Sequence, residues 1–202
     1  MIRFRVLNRD PLYDYREDCK ITQGKDLYES FDHWKPEDEV EFWIKQIVAK
    51  HSCIRSVHFR LVARAPKSVI MQIIRATKGH PQPEVESSRP DWTGKSRSAD
   101  PYELKLFAQD HTAESFIEMA KQRLCMRTEE NTRKVMNEMV EELKNSREPF
   151  LKAVGYCCHP RCWWLHGCPE IKGCDPQANK VADNIIRTYN YFEKMFKEKE
   201  NG

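Results

Sequence analysis

The run from Ile54 to Trp92 constrains this chain more than any other. Residues 54–64 (IRSVHFRLVAR) alternate apolar and polar side chains, the period of a strand with one buried face. Pro66 then opens a helix, SVIMQIIRATK, which carries Gln72 and Arg75 toward its C-terminal end. The stretch that follows is too long and too polar for a plain turn, with Lys78, His80, Gln82, Glu84, Glu86, Ser87, Ser88 and Arg89 in succession. Long structured loops in compact domains are usually functional. Arginines flanking a Ser-Ser pair can hold a phosphate through paired guanidinium donors and hydroxyl groups. The expectation is a nucleotide-phosphate loop around which the rest of the chain builds a pocket. The plainer alternative is a solvated connector whose charges keep it wet.

The flanking segments supply the scaffold. Residues 2–7 alternate and predict a first strand, and residues 10–35 read mostly as loop with a short helix. Residues 37–50 place acids early and lysines late, with Val40, Trp43, Ile44, Ile47 and Val48 on one face, the pattern of an amphipathic helix. A second loop, residues 90–101, carries Lys95 and Arg97. Residues 102–144 contain neither proline nor glycine and read as helical almost throughout. A break near His111 lets Thr112 cap a long helix. A Cys-rich loop at 149–176 and a terminal helix at 179–199 complete one domain over 1–202. The expected class is α+β, a small antiparallel sheet packed with several helices. At 202 residues and 40% hydrophobic content the chain can bury a sizeable core, and a net charge of +3 does not by itself argue for nucleic acid. No apolar run long enough to span a membrane is present, and the first residues lack an apolar signal core, so a cytoplasmic protein is expected.

Two further constellations carry chemistry. On the expected long helix Arg123, Arg127 and Glu130 fall at i, i+4 and i+7 and share a face, with Arg133 nearby. They would offer positive charge to a bound anion, or else form an exposed salt-bridged face. Among eight cysteines, Cys158, Cys162, Cys168 and Cys174 crowd together with His159 and His166, a soft ligand set that suits tetrahedral zinc. The spacing has no CxxC pair, so plain thiols are the alternative. Trp163 and Trp164 could stack on a ring or simply pack. His51 and His80 could move protons, though single histidines are usually structural.

The order of these residues resembles the flavin-dependent thymidylate synthase family. Gln72, Arg75, Ser87 and Arg89 match that family's helix-and-loop signature, with Glu86 before the serine. Lys50-His51-Ser52 is similar to its upstream motif, and Leu124, Cys125, Arg127 and Arg133 to its downstream helix. Gly167-Cys168-Pro169-Glu170 is similar to the tail of short members. Ala76 and Thr77 stand where the family has the His and second Arg associated with flavin. The resemblance implies transfer of a one-carbon group from methylenetetrahydrofolate to C5 of dUMP, with FAD, and NADPH as reductant. It implies that Gln72, Arg75, Glu86, Ser87, Ser88, Arg89, Arg123 and Arg127 bind the nucleotide, Arg123 also acting on the ring. It assigns His51, Lys78, His80 and Glu118 to the cofactor. It further implies a homotetramer with pockets between subunits. Hydroxymethylation at C5 is a variant of the same reading. A different class is a zinc-stapled module in which Arg75, Lys78, Arg89, Lys95, Arg97 and the tryptophans bind single-stranded nucleic acid; the near-balanced charge argues against it.

Overall fold

A computed structural model describes residues 1–24, 36–77, 83–94, 99–170 and 173–174. Among these, four antiparallel strands form one sheet: β1 (Ile2–Val6), β2 (His58–Pro66), β3 (Glu84–Val85) and β4 (Leu104–Thr112), in the order β1-β2-β4-β3. The expected α+β class is the one observed. The central pair is β2 with β4, in register from His58↔Thr112 to Pro66↔Leu104.

The alternation read over residues 54–64 holds from His58 onward: Phe59, Leu61, Ala63 and Ala65 are buried. Its first residues instead form a 3-10 turn, Ser52–Ser56, where the Ser56 hydroxyl donates to the Cys53 carbonyl at 2.7 Å. Strand β4 corrects the reading of residues 102–111 as helix. Its inward row is Lys105, Phe107, Gln109 and His111, all buried, so an apolar–polar alternation is missing from the sequence. The neighbouring strand supplies the hydrocarbon instead: Ala65, Ala63, Leu61 and Phe59 stand opposite those four. Lys105 makes an ion pair with Glu103 at 2.9 Å.

Eight α-helices occur among the described residues. α1 (Pro11–Thr22) replaces what reads as loop with a short helix. Asp10 caps it by accepting from the Tyr13 N–H at 3.0 Å, and Pro11 fits its first turn. α2 (Glu39–Ala49) and α3 (Lys67–Ala76) lie where the sequence places them. α4 (Pro90–Thr93) is a single turn. The expected long helix is two helices, α5 (Ala113–Arg123) and α6 (Glu130–Lys144). Thr112 caps α5 as anticipated, in a reciprocal pair with Ser115. α7 (Pro149–Cys157) and α8 (Arg161–Trp164) follow, and the segment 179–199 lies outside the described residues.

Helices α3, α5 and α6 pack on the sheet, and α7 fills the space between α6 and α2. The seam is aromatic: Trp43 meets Phe150 edge-on at 5.1 Å, and Phe59 lies 5.6 Å from Phe116 and 6.1 Å from Phe150. Each such fully buried ring contributes on the order of 2–3 kcal/mol. The α6–α7 crossing depends on Gly155, because a Cβ there would stand 2.7 Å from the Lys144 backbone nitrogen. No helix among the described residues is long and apolar enough to cross a membrane.

Candidate functional site

The break between α5 and α6 builds the main cleft. α5 ends when the chain turns after Leu124, and Thr128 fastens the turn twice: its N–H donates to the Cys125 carbonyl at 2.9 Å and its hydroxyl to the Gln122 carbonyl at 2.8 Å. Glu129 then restarts the helix by accepting from the Asn131 and Thr132 N–H groups at 2.9 and 2.8 Å. Those backbone donors hold its carboxyl below the usual range. The helical face expected of Arg123, Arg127 and Glu130 therefore does not exist, since Arg127 sits in the turn and Glu130 on the next helix. Arg133 donates to the Met126 carbonyl at 3.0 Å and braces the turn from α6.

The turn faces α3 and the Cys-rich segment across a cleft of about 490 Å³. Gln72, Arg123 and Arg127 line it, together with Arg161, Glu170 and Lys121. The structure thus gathers three of the expected nucleotide residues and adds Lys121, Thr128, Glu129 and Arg161. A start signal was available in the sequence, since Glu129 and Glu130 are the acids expected in a first helical turn.

Arg123 is the unusual group. Its Nε is buried and has no hydrogen-bond partner among the described residues. Burial lowers its pKa, and the nearby Arg75 charge lowers it further. A guanidinium keeps its proton in proteins, so the cost appears as a partly desolvated cation with one unpaired buried donor rather than as neutralisation. An anion or a carbonyl oxygen in the cleft would relieve it.

The Ser87–Arg89 loop lies elsewhere on this chain, outside the cleft lining. Glu86 is bound to the sheet: its N–H donates to the Leu106 carbonyl at 2.8 Å, and its carboxylate accepts from the Leu106 N–H at 3.0 Å. The Ser87 hydroxyl accepts from the Arg89 N–H at 3.0 Å, and Ser88 is exposed. Arg89 pairs with Asp91 at 2.5 Å and lies 4.6 Å over the Trp92 ring. Lys78 and His80 lie outside the described residues, as do Lys95 and Arg97.

His51 and Glu118 do come together, in a hollow of about 30 Å³ lined also by Ile54, Arg55, Glu114, Ile117 and Trp164. Lys121 joins the hollow to the cleft, since it lines both. Its ammonium meets Glu118 at 2.5 Å and lies 4.8 Å over Trp164.

Among the described residues no three His, Cys, Asp or Glu side chains are placed to hold a metal ion. Cys158 ends α7 and turns into the core, where burial pushes its thiol pKa up, whereas Cys162, Cys168 and Cys174 line the cleft. His159 stacks on Trp163 at 3.9 Å, and burial lowers its pKa.

The sequence matches no family model and no curated protein. The fold is similar to a solved UMP/dUMP methylase, PolB from Streptomyces cacaoi bound with 5-Br dUMP. The match has a TM-score of 0.52 at 9% identity, covering 76% of this chain and 94% of that one.

Proposed function

We propose that this chain binds a pyrimidine deoxynucleotide, dUMP in the simplest case, and transfers a one-carbon group to C5 of its base. The observation that carries the reading is the buried, unpartnered Arg123 Nε at the cleft wall. The shared fold with a UMP/dUMP methylase supports a nucleotide as the occupant. In this reading Arg123 donates to the uracil ring and stabilises negative charge on it, which makes C5 the more nucleophilic. Gln72 orients the base, and Arg127 attracts the anionic ligand at the cleft mouth. Arg75 adds positive potential from the end of α3. Ser87, Ser88 and Arg89 reach the phosphate from a second copy of the chain, consistent with the homotetramer that the family resemblance implies. Mixing Arg123→Ala with Arg89→Ala chains would then give more activity than either variant has alone.

Methylenetetrahydrofolate as donor, with FAD and NADPH as reductant, is the chemistry implied by the resemblance. Of the residues the resemblance assigns to the cofactor, His51 and Glu118 line the hollow rather than the cleft. That hollow measures about 30 Å³, against about 490 Å³ for the cleft. Ala76 is buried in the core, and the Thr77 hydroxyl donates to the Ile73 carbonyl at 3.0 Å. A visible spectrum after incubation with FAD tests for the flavin directly.

The binding test is thermal stabilisation against dUMP, dCMP, dTMP and inorganic phosphate. A ligand at a hundred times its dissociation constant stabilises by about 2.7 kcal/mol. The reading expects the largest shift with dUMP. Equal shifts with phosphate alone would reduce the cleft to an anion site.

A further inference from the structure

The sheet has a second face, and strand register composes it in rows. Residues paired directly across strands point to the same side. Arg3, Val62, Ala108 and Glu84 therefore form one unbroken row across all four strands, on the side away from the buried Leu61, Ala63 and Phe107. The next row is Arg5, Arg60 and Asp110. Both rows are polarised in the same sense, with cations toward β1 and carboxylates toward β3. Val62 and Ala108 put hydrocarbon between the charged ends, and Leu106 lies half-buried on the same side. Arg60 and Asp110 are joined by two bonds of 2.6 and 2.7 Å. Arg3, Arg5, Arg64 and Glu84 are exposed and form no ion pair with any described residue. At the carboxylate end a cavity of about 240 Å³ is lined by Val62, Glu84, Glu86, Leu106 and Ala108.

We propose that this face docks a second copy of the chain, sheet against sheet. A two-fold axis lying between the two sheets and parallel to their strands turns every row end for end. Arg3 then faces Glu84 of the second copy, and Val62 faces Ala108. The Arg60–Asp110 pair meets its reversed counterpart, each charge over its opposite. The Arg3 side chain of the second copy enters the 240 Å³ cavity beside Glu84. One patch serves both copies, as a closed two-fold assembly requires. Aligned sheets stack about 10 Å apart with strands within about 30° of each other, a spacing these side chains can fill. A polyanion such as nucleic acid would be repelled by the carboxylate end, whereas a second copy matches both ends. The strands offer on the order of 400 Å² per copy, so the pair is weak and depends on concentration, with a dissociation constant of roughly 10–100 µM. The pairing supplies the second copy that the proposed function calls on, but it stands without any nucleotide.

The test is analytical ultracentrifugation of the full chain without ligand, from about 5 to about 500 µM so as to bracket that constant. The expected mass rises with concentration to at least twice that of one chain. Val62→Lys puts a cation into the apolar middle of the row and should halve the assembled mass while melting remains cooperative. Arg3→Glu and Glu84→Lys, at exposed positions, should each weaken the pair by about tenfold, since each places like charges opposite one another twice. Combining the two exchanges the ends of the row and should bring the dissociation constant back to within about threefold of the original. This rescue reads the interface even where Val62→Lys fails to fold. A single chain at every concentration overturns the proposal, as does an assembly whose mass Val62→Lys leaves unchanged. A double variant no better paired than either single one overturns it too. Because no nucleotide is present, failure here leaves the reading of the Arg123 cleft to its own thermal-shift test.

Discussion

Arg123 and Arg89 are the same side chain held under opposite conditions. Arg123 stands at a cleft wall with a buried Nε that has no hydrogen-bond partner among the described residues. Arg89 is 56% exposed and already has a carboxylate partner in Asp91 and an aromatic one in Trp92. A ligand that reaches Arg123 gains a full charge-assisted hydrogen bond and removes an existing cost. A ligand that reaches Arg89 must first replace an ion pair of similar kind, so its net gain is smaller. Sequence composition ranks the two alike, and only burial separates them.

The contrast sets an order of effects. Arg123→Ala should lower dUMP affinity by about 100-fold or more while leaving the ligand-free Tm unchanged or slightly raised, because a desolvated cation has gone. Thermal shift with and without dUMP reads both, and an undiminished shift would remove Arg123 from the site. Arg89→Ala should weaken binding by roughly tenfold, the scale of one exposed charge-assisted contact. An unaltered titration would take the Ser87–Arg89 loop out of the reaction altogether. Asp91→Asn releases Arg89 and should tighten binding about threefold at low salt, a gain that fades toward about 1 M salt as screening grows.

The smallest effect is expected from a residue that lines the cleft for structural reasons. Glu129→Gln weakens the cap of α6 and should cost about 1 kcal/mol, or roughly 2–4 °C in Tm. Its sign with pH is fixed by the depressed carboxyl pKa: the contribution is complete above the ordinary value of about 4.3 and is lost as pH falls through the folded value. Melting curves of the two proteins should differ at neutral pH and converge in acid. A constant gap would mean that the cap does not depend on the charge.

Legibility in the sequence followed the location of the driving force. β2, α2 and α3 carry their own apolar pattern and were readable within a few residues. β4 was not, because its inward row is Lys105, Phe107, Gln109 and His111, and the apolar partners lie on β2. Thr112 was legible as a cap because its bond is local. The Arg123–Arg127 relation was misread because a helix was assumed to continue through Cys125–Thr128. Gln72 and Arg123 could be named from order alone, yet their meeting across one cleft depends on how α3 and α5 cross the sheet. The cysteines part for a related reason: proximity in sequence did not keep Cys158 from turning into the core while Cys162, Cys168 and Cys174 line the cleft.

One consequence concerns solubility. β3 pairs with β4 only at Glu84↔Ala108 and Val85↔Phe107, so it covers a short part of that strand's edge. Glu86 extends the cover with its backbone N–H and its carboxylate, both on Leu106. A strand edge with open amide and carbonyl groups invites another chain to pair with it, and a carboxylate placed on the edge deters that pairing. A chain lacking Glu86 would reveal the loss less by melting early than by clouding at high concentration. Glu86→Ala is therefore expected to scatter light at high concentration before it loses Tm, and a clear solution would leave Glu86 as a peg in the sheet alone.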